Sequence, residues 1–110
     1  MFEKEFPEFR KVRKEILNKF GVNHRLINCI EELSELQKTL TKSLRCMIIL
    51  DKKIDSSFKF TVNDLNALRL NIINEMADVY ITIEESKDIF NITDEEIYKI
   101  MTNKLNRGVK

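Results

Sequence analysis

Apolar residues recur at alternating spacings of three and four along most of the chain, the period of one face of an α-helix. Leu26, Ile30, Leu33, Leu40, Leu44 and Met47 form the longest such stripe and predict a helix over about 23–52. Leu65, Leu68, Ile72, Met76, Val79 and Ile83 predict another over about 61–90, with Thr61 and Asn63 as candidate N-caps and Asn91 as its end. Phe9, Val12, Ile16 and Leu17 predict a shorter helix over about 5–20, closed by Gly21. Thr93 followed by Glu96 has the form of a capping box and opens a fourth helix to about residue 107, with Ile97, Ile100, Met101 and Leu105 on one side. The segment from Asp51 to Phe60 loses the period and reads as a connection.

These elements predict an all-α four-helix bundle, one domain over 1–110, with a long antiparallel central pair because a short connection favours antiparallel neighbours. Stripes of this kind are read as core. Two glycines and one proline in 110 residues leave little turn chemistry for a sheet. Hydrophobic residues at 43% are too many for a disordered tail. A net charge of +1, with both signs interspersed, argues against a nucleic-acid polymer or a membrane surface as partner. With no apolar run long enough to span a bilayer and no signal-peptide pattern in MFEKEF, the chain is expected to be cytoplasmic. Cys29 and Cys46 lie seventeen residues apart on one predicted helix, about 25 Å, so they are expected to be free thiols. His24 has no partner at metal-ligand spacing and reads as a helix-terminus residue, while Tyr80 and Phe90 sit at positions that are usually core.

The carboxylates change the picture. Glu5/Glu8, Glu32/Glu35, Glu75/Asp78 and Glu85/Asp88 are all ExxE or ExxD pairs, common in Glu-rich helices and usually solvated. Position separates them. At about 100° per residue, Glu32 falls about 100° and Glu35 about 160° to one side of Leu33. Glu75 and Asp78 fall at the same offsets, to the same side, from Met76. Antiparallel packing would bring these two pairs to one edge, whereas Glu85 and Asp88 point nearly opposite their stripe. Four converging acids repel unless a cation offsets them, and all-oxygen ligands suit Mg²⁺ first and Mn²⁺ second. A Mg²⁺ site of that kind commonly recruits substrate phosphates.

EELSELQKTLTKSLR from Glu31 to Arg45, EMADVYI from Glu75 to Ile81 and KLNR from Lys104 to Arg107 together resemble the MazG-like all-α nucleotide pyrophosphohydrolases. The resemblance covers about 21–107 and departs from the shortest members in a longer interval between the acidic motifs. It implies a hydrolase of acid anhydrides that converts a nucleoside triphosphate to the monophosphate and pyrophosphate, as a homodimer or homotetramer. By the same resemblance Glu32, Glu35, Glu75 and Asp78 are metal ligands, and Glu31 is a motif neighbour that helps orient water. The implied chemistry is attack on the α phosphorus by a water whose pKa the metal lowers, with a carboxylate as general base. Lys104 and Arg107 would clamp the β and γ phosphates, and Lys42, two turns beyond Glu35, could approach the same tail. A di-iron carboxylate bundle lacks its Glu-x-x-His motif here. The remaining rival is a dimerising helical interaction module in which the acids are only a charged rim.

Overall fold

A computed structural model describes residues 6–52 and 62–109. The described residues form four helices and no strand: α1 (Pro7–Phe20), α2 (Val22–Lys52), α3 (Val62–Phe90) and α4 (Asp94–Val109). No helix among them is long and apolar enough to cross a membrane. Glu5, Thr61 and residues 53–60 of the expected connection lie outside the described residues, and Asn63 stands inside the first turn of α3 rather than at its cap.

Helix ends follow local chemistry. Gly21 adopts φ 85° and ψ 164°, donates its N–H to Leu17 O at 2.8 Å, and accepts from Arg25 N at 3.2 Å, so one residue closes α1 and opens α2. That backbone region is essentially restricted to glycine. Although open space surrounds the position of a Cβ, Gly21→Ala is expected to cost about 1–3 kcal/mol through backbone strain alone. Thermal melts of the two chains measure it, and equal midpoints would refute it. Asn91 at φ 55° ends α3, with Ile92 N–H donated to Lys87 O at 2.9 Å, the reach of a Schellman turn. At α4, Glu96 N–H donates to Thr93 Oγ1 at 3.2 Å while Thr93 N–H donates to Glu96 Oε1 at 3.2 Å, the reciprocal capping box expected from the sequence.

The described residues fall into two compact units, Ile27–Thr82 and the combination of Met1–Leu26 with Ile83–Lys110. In the first, the α2–α3 seam takes in Leu68, Ile72 and Val79 of the α3 stripe but none of the α2 stripe residues that fall in this unit. Leu33 is 52% and Leu44 59% exposed, and Leu40, Leu65 and Met76 are exposed as well. The half-buried or buried residues of α2 in this unit are Asn28, Cys29, Glu32, Leu36, Thr39, Ser43 and Cys46, lying about 40–140° around the helix from Leu33. On α3 they are Leu68, Ile72, Glu75, Asp78, Val79 and Thr82, displaced to the same side of Met76. The stripes are therefore core only in part: Ile16, Leu17, Leu26, Leu68, Ile72, Val79 and Ile97 are half-buried, while the other stripe residues are exposed, contrary to the sequence reading. Among the described residues Cys29 is the one buried hydrophobic side chain, and its Sγ donates to Thr82 O at 3.6 Å. Polar side chains survive in this seam because their own helix satisfies them: Ser43 Oγ donates to Thr39 O and Thr82 Oγ1 to Val79 O, each at 2.7 Å.

Ion pairs sit at the centre of the second unit, beside half-buried Ile16, Leu17, Leu26, Ile89 and Ile97. Arg25 donates from Nε and a terminal nitrogen to the two oxygens of Glu85, at 2.7 and 2.8 Å. Arg13 Nε donates to Asp88 Oδ2 at 3.3 Å, and a terminal nitrogen of Arg13 stands 3.8 Å from Glu84 Oε2. Lys87 Nζ donates to Glu84 Oε2 at 2.8 Å and to Asp94 Oδ1. Burial works against the charge on Lys87, yet those two carboxylates outweigh it and hold its pKa above the ordinary value. The hydrogen bond from Lys87 is in turn the main reason that Asp94 lies below its own. Glu85 is only 5% exposed, so Glu85 and Asp88 are not the solvated face that their angle on α3 suggests. Every described polar side-chain atom that is buried has a hydrogen-bond partner. Tyr80 and Phe90 are exposed rather than core. Cys29 and Cys46 are free thiols.

Candidate metal centre

Glu32 on α2 and Glu75 and Asp78 on α3 lie in the seam of the Ile27–Thr82 unit. Each offers a carboxylate oxygen, and the three oxygens lie within 4.8 Å of one another, all on half-buried side chains. Two turns of helix make this set: Glu75 and Asp78 are three apart on one face, and the offset of Glu32 from its stripe matches theirs.

The electrostatics register the crowding. Partial burial is the first cause that holds the Glu32 carboxyl above its ordinary value of 4.5, followed by the charge of Asp78 and a hydrogen bond with it, then the charges of Glu75 and Glu35. A proton on Glu32 thus relieves repulsion that a cation could relieve instead. Hard oxygen donors on three converging side chains suit a divalent ion such as Mg²⁺ or Mn²⁺, with water or phosphate completing the shell. Exposed acidic groups also gather without an ion, so the geometry states a capacity rather than an occupant.

A raised value in the folded chain means that folding binds the Glu32 proton more tightly than the unfolded chain does. That stabilising contribution is whole below 4.5 and is lost as pH rises through the folded value. The ion-free chain is therefore expected to lose stability over this window, and Glu32→Gln to lose less. Added Mg²⁺ should raise the midpoint most at the upper end, where no proton competes. Thermal melts from pH 4.5 to 8, in EDTA and in Mg²⁺, check this, and an identical pH slope in Glu32→Gln would refute it.

The other expected residues are placed as follows. Glu35 is outside the three-oxygen group, its side chain 53% exposed and its Oε1 3.4 Å from Lys38 Nζ. It is near enough for its charge to act on Glu32. Glu31 is exposed on α2, and so is Lys42. Lys104 and Arg107 are exposed on α4, in the other compact unit, where Arg107 Nε donates to Asn103 O at 3.4 Å. His24 is exposed and stacks on Phe20 with ring centroids 4.8 Å apart, so it serves a helix junction.

Sequence reasoning missed Arg13, Arg25, Glu84 and Lys87, the ion-paired centre of the second unit. A signal existed for Arg13. It interrupts the apolar face of α1 between Phe9 and Ile16, and a charge on such a face asks for a buried counter-charge. No protein-family profile, curated protein or solved structure matches the chain.

Proposed function

We propose that the chain is a Mg²⁺-dependent nucleoside triphosphate pyrophosphohydrolase of the MazG-like all-α type, cutting between the α and β phosphates. The observation that carries the reading is the meeting of Glu32 with Glu75 and Asp78 within 4.8 Å. The same three residues belong to the EExxE and ExxD motifs that resemble that family, and they are three of the four acids, Glu35 being the fourth, whose angular offsets predict a shared edge. An antiparallel central pair is supported by the contacts themselves: residue 29 meets 82, and 32 meets 78 and 75, so numbers rise on α2 as they fall on α3.

In this reading Glu32, Glu75 and Asp78 hold the metal, which when bound supplies Lewis-acid stabilisation of phosphate charge and a water of lowered pKa. Glu35 lies beside the group but outside it, which suits a carboxylate that completes the shell or takes a proton from the attacking water. Glu31 orients water and Lys42 approaches the phosphate tail, while for Lys104 and Arg107 the phosphate-binding role rests on the resemblance of KLNR to the family alone. The uncovered stripe residues Leu33, Leu44 and Met76 support a homodimer or homotetramer, because an apolar surface of that extent is normally buried.

The same exposed stripes favour a second reading, a non-catalytic helical module that exists to dimerise. One assay separates the two. Incubated with Mg²⁺ and each ribo- and deoxyribonucleoside triphosphate, the enzyme releases pyrophosphate and the monophosphate, and EDTA stops it. A chain that self-associates yet releases no pyrophosphate from any of them is the module.

A further inference from the structure

The two arginines and the lysine at the centre of the second unit are neutralised by carboxylates, but α1 carries a second set of cations that is not. Arg10, Lys11 and Lys14 are exposed, and none has an ion pair or hydrogen bond among the described residues, although Glu8 and Glu15 share their helix. With Pro7 they stand at i, i+3, i+4 and i+7, one face of α1, and line an open concavity of about 370 Å³. Phe6, stacked on Phe9 at 5.1 Å and 41% exposed, lies at the start of the same helix. The face opposite the apolar side of α1 is thus cationic although the whole chain is nearly neutral.

We infer that this face of α1 is a binding site for a free oligophosphate, a chain of two or three linked phosphates with or without a nucleoside. Charge complementarity gives the sign of the ligand, and extent gives its size. From Arg10 to Lys14 is about 6 Å along the helix axis, a span that suits a few linked phosphates. A polymer track that neutralises many phosphates needs a longer row of cations. Guanidinium and ammonium groups bind such oxygens directly, so the site needs no metal, unlike a site built on Glu32, Glu75 and Asp78. The inference is independent of pyrophosphohydrolase activity and lies in the other compact unit.

Titration calorimetry with tripolyphosphate, in buffer stripped of divalent cations, tests it on the full chain. Arg10→Gln/Lys11→Gln/Lys14→Gln is expected to weaken binding at least tenfold and to flatten its salt dependence. Arg45→Gln/Arg69→Gln/Lys99→Gln removes the same charge from exposed positions elsewhere and is expected to change binding less than threefold. If the first triple variant does not fold, Arg10→Gln and Lys14→Gln singly should each show part of the loss. Equal weakening in both triple variants overturns the site. So does binding of a single-stranded oligonucleotide, but not of tripolyphosphate, through the three cations. Loss of self-association in the first triple variant, with no tripolyphosphate binding by the intact chain, overturns it too, since the face would then serve a second copy.

Discussion

On the proposed pyrophosphohydrolase reading, Glu32→Gln and Asp78→Asn are each expected to lower Mg²⁺-dependent pyrophosphate release by about 10²-fold or more while the helical content is unchanged. Each substitution keeps the shape of the side chain and removes one anionic ligand from a three-oxygen group, which takes away several kcal/mol of charge stabilisation at about 1.4 kcal/mol per tenfold. The two variants are also expected to melt no lower than the parent in EDTA, because each relieves repulsion that the ion-free chain bears. In Mg²⁺ the order should reverse, the parent gaining stability by binding and the variants gaining little. This crossing of stabilities separates loss of a ligand from loss of fold. Activity retained within threefold in both variants would remove Glu32 and Asp78 from the chemistry. Glu35→Gln provides a graded comparison: with Glu35 outside the group, its loss should disturb metal affinity less than that of Glu32.

The helices were legible in the sequence because the signals that make them are local. Period-3.6 stripes, a reciprocal Thr93/Glu96 cap and a glycine at residue 21 act within a turn or two, and each is found where the sequence puts it. The convergence of Glu32 with Glu75 and Asp78 was legible for a related reason, since equal offsets from two stripes survive any common rotation of the two helices. What did not transfer was the face on which the helices meet. An apolar stripe states that something must cover it, not what does, and here the seam is displaced from Leu33 and Met76 toward the side that holds the carboxylates, keeping Leu68, Ile72 and Val79 of the α3 stripe and leaving the α2 stripe exposed. Polar Ser43 and Thr82 enter that seam, Thr82 at 2% exposure, with each hydroxyl satisfied within its own helix. The charged centre of the second unit was invisible for the opposite reason. Its partners are 60 and 75 residues apart, and no local pattern links Arg25 to Glu85 or Arg13 to Asp88.

Arg25→Met is expected to destabilise the chain by about 3–5 kcal/mol, the usual result of leaving one member of a buried ion pair without its partner. The side chains of Arg25 and Glu85 are 12% and 5% exposed, so the carboxylate left behind is neither solvated nor paired. Replacing both, Arg25→Met with Glu85→Met, should restore most of the loss, because apolar side chains of similar volume can fill the space without a desolvation penalty. Urea denaturation of the parent, both single variants and the double variant measures the coupling, and a single variant costing less than about 1 kcal/mol would show that the pair is effectively exposed. The same series bears on function. Arg25 and Glu85 belong to one compact unit, and Glu32, Glu75 and Asp78 to the other. If the carboxylate group is assembled by the α2–α3 seam alone, Arg25→Met at low temperature keeps its Mg²⁺ affinity while its midpoint falls. If affinity falls in step with stability, the ion pair does more than hold its own unit, and the site depends on both.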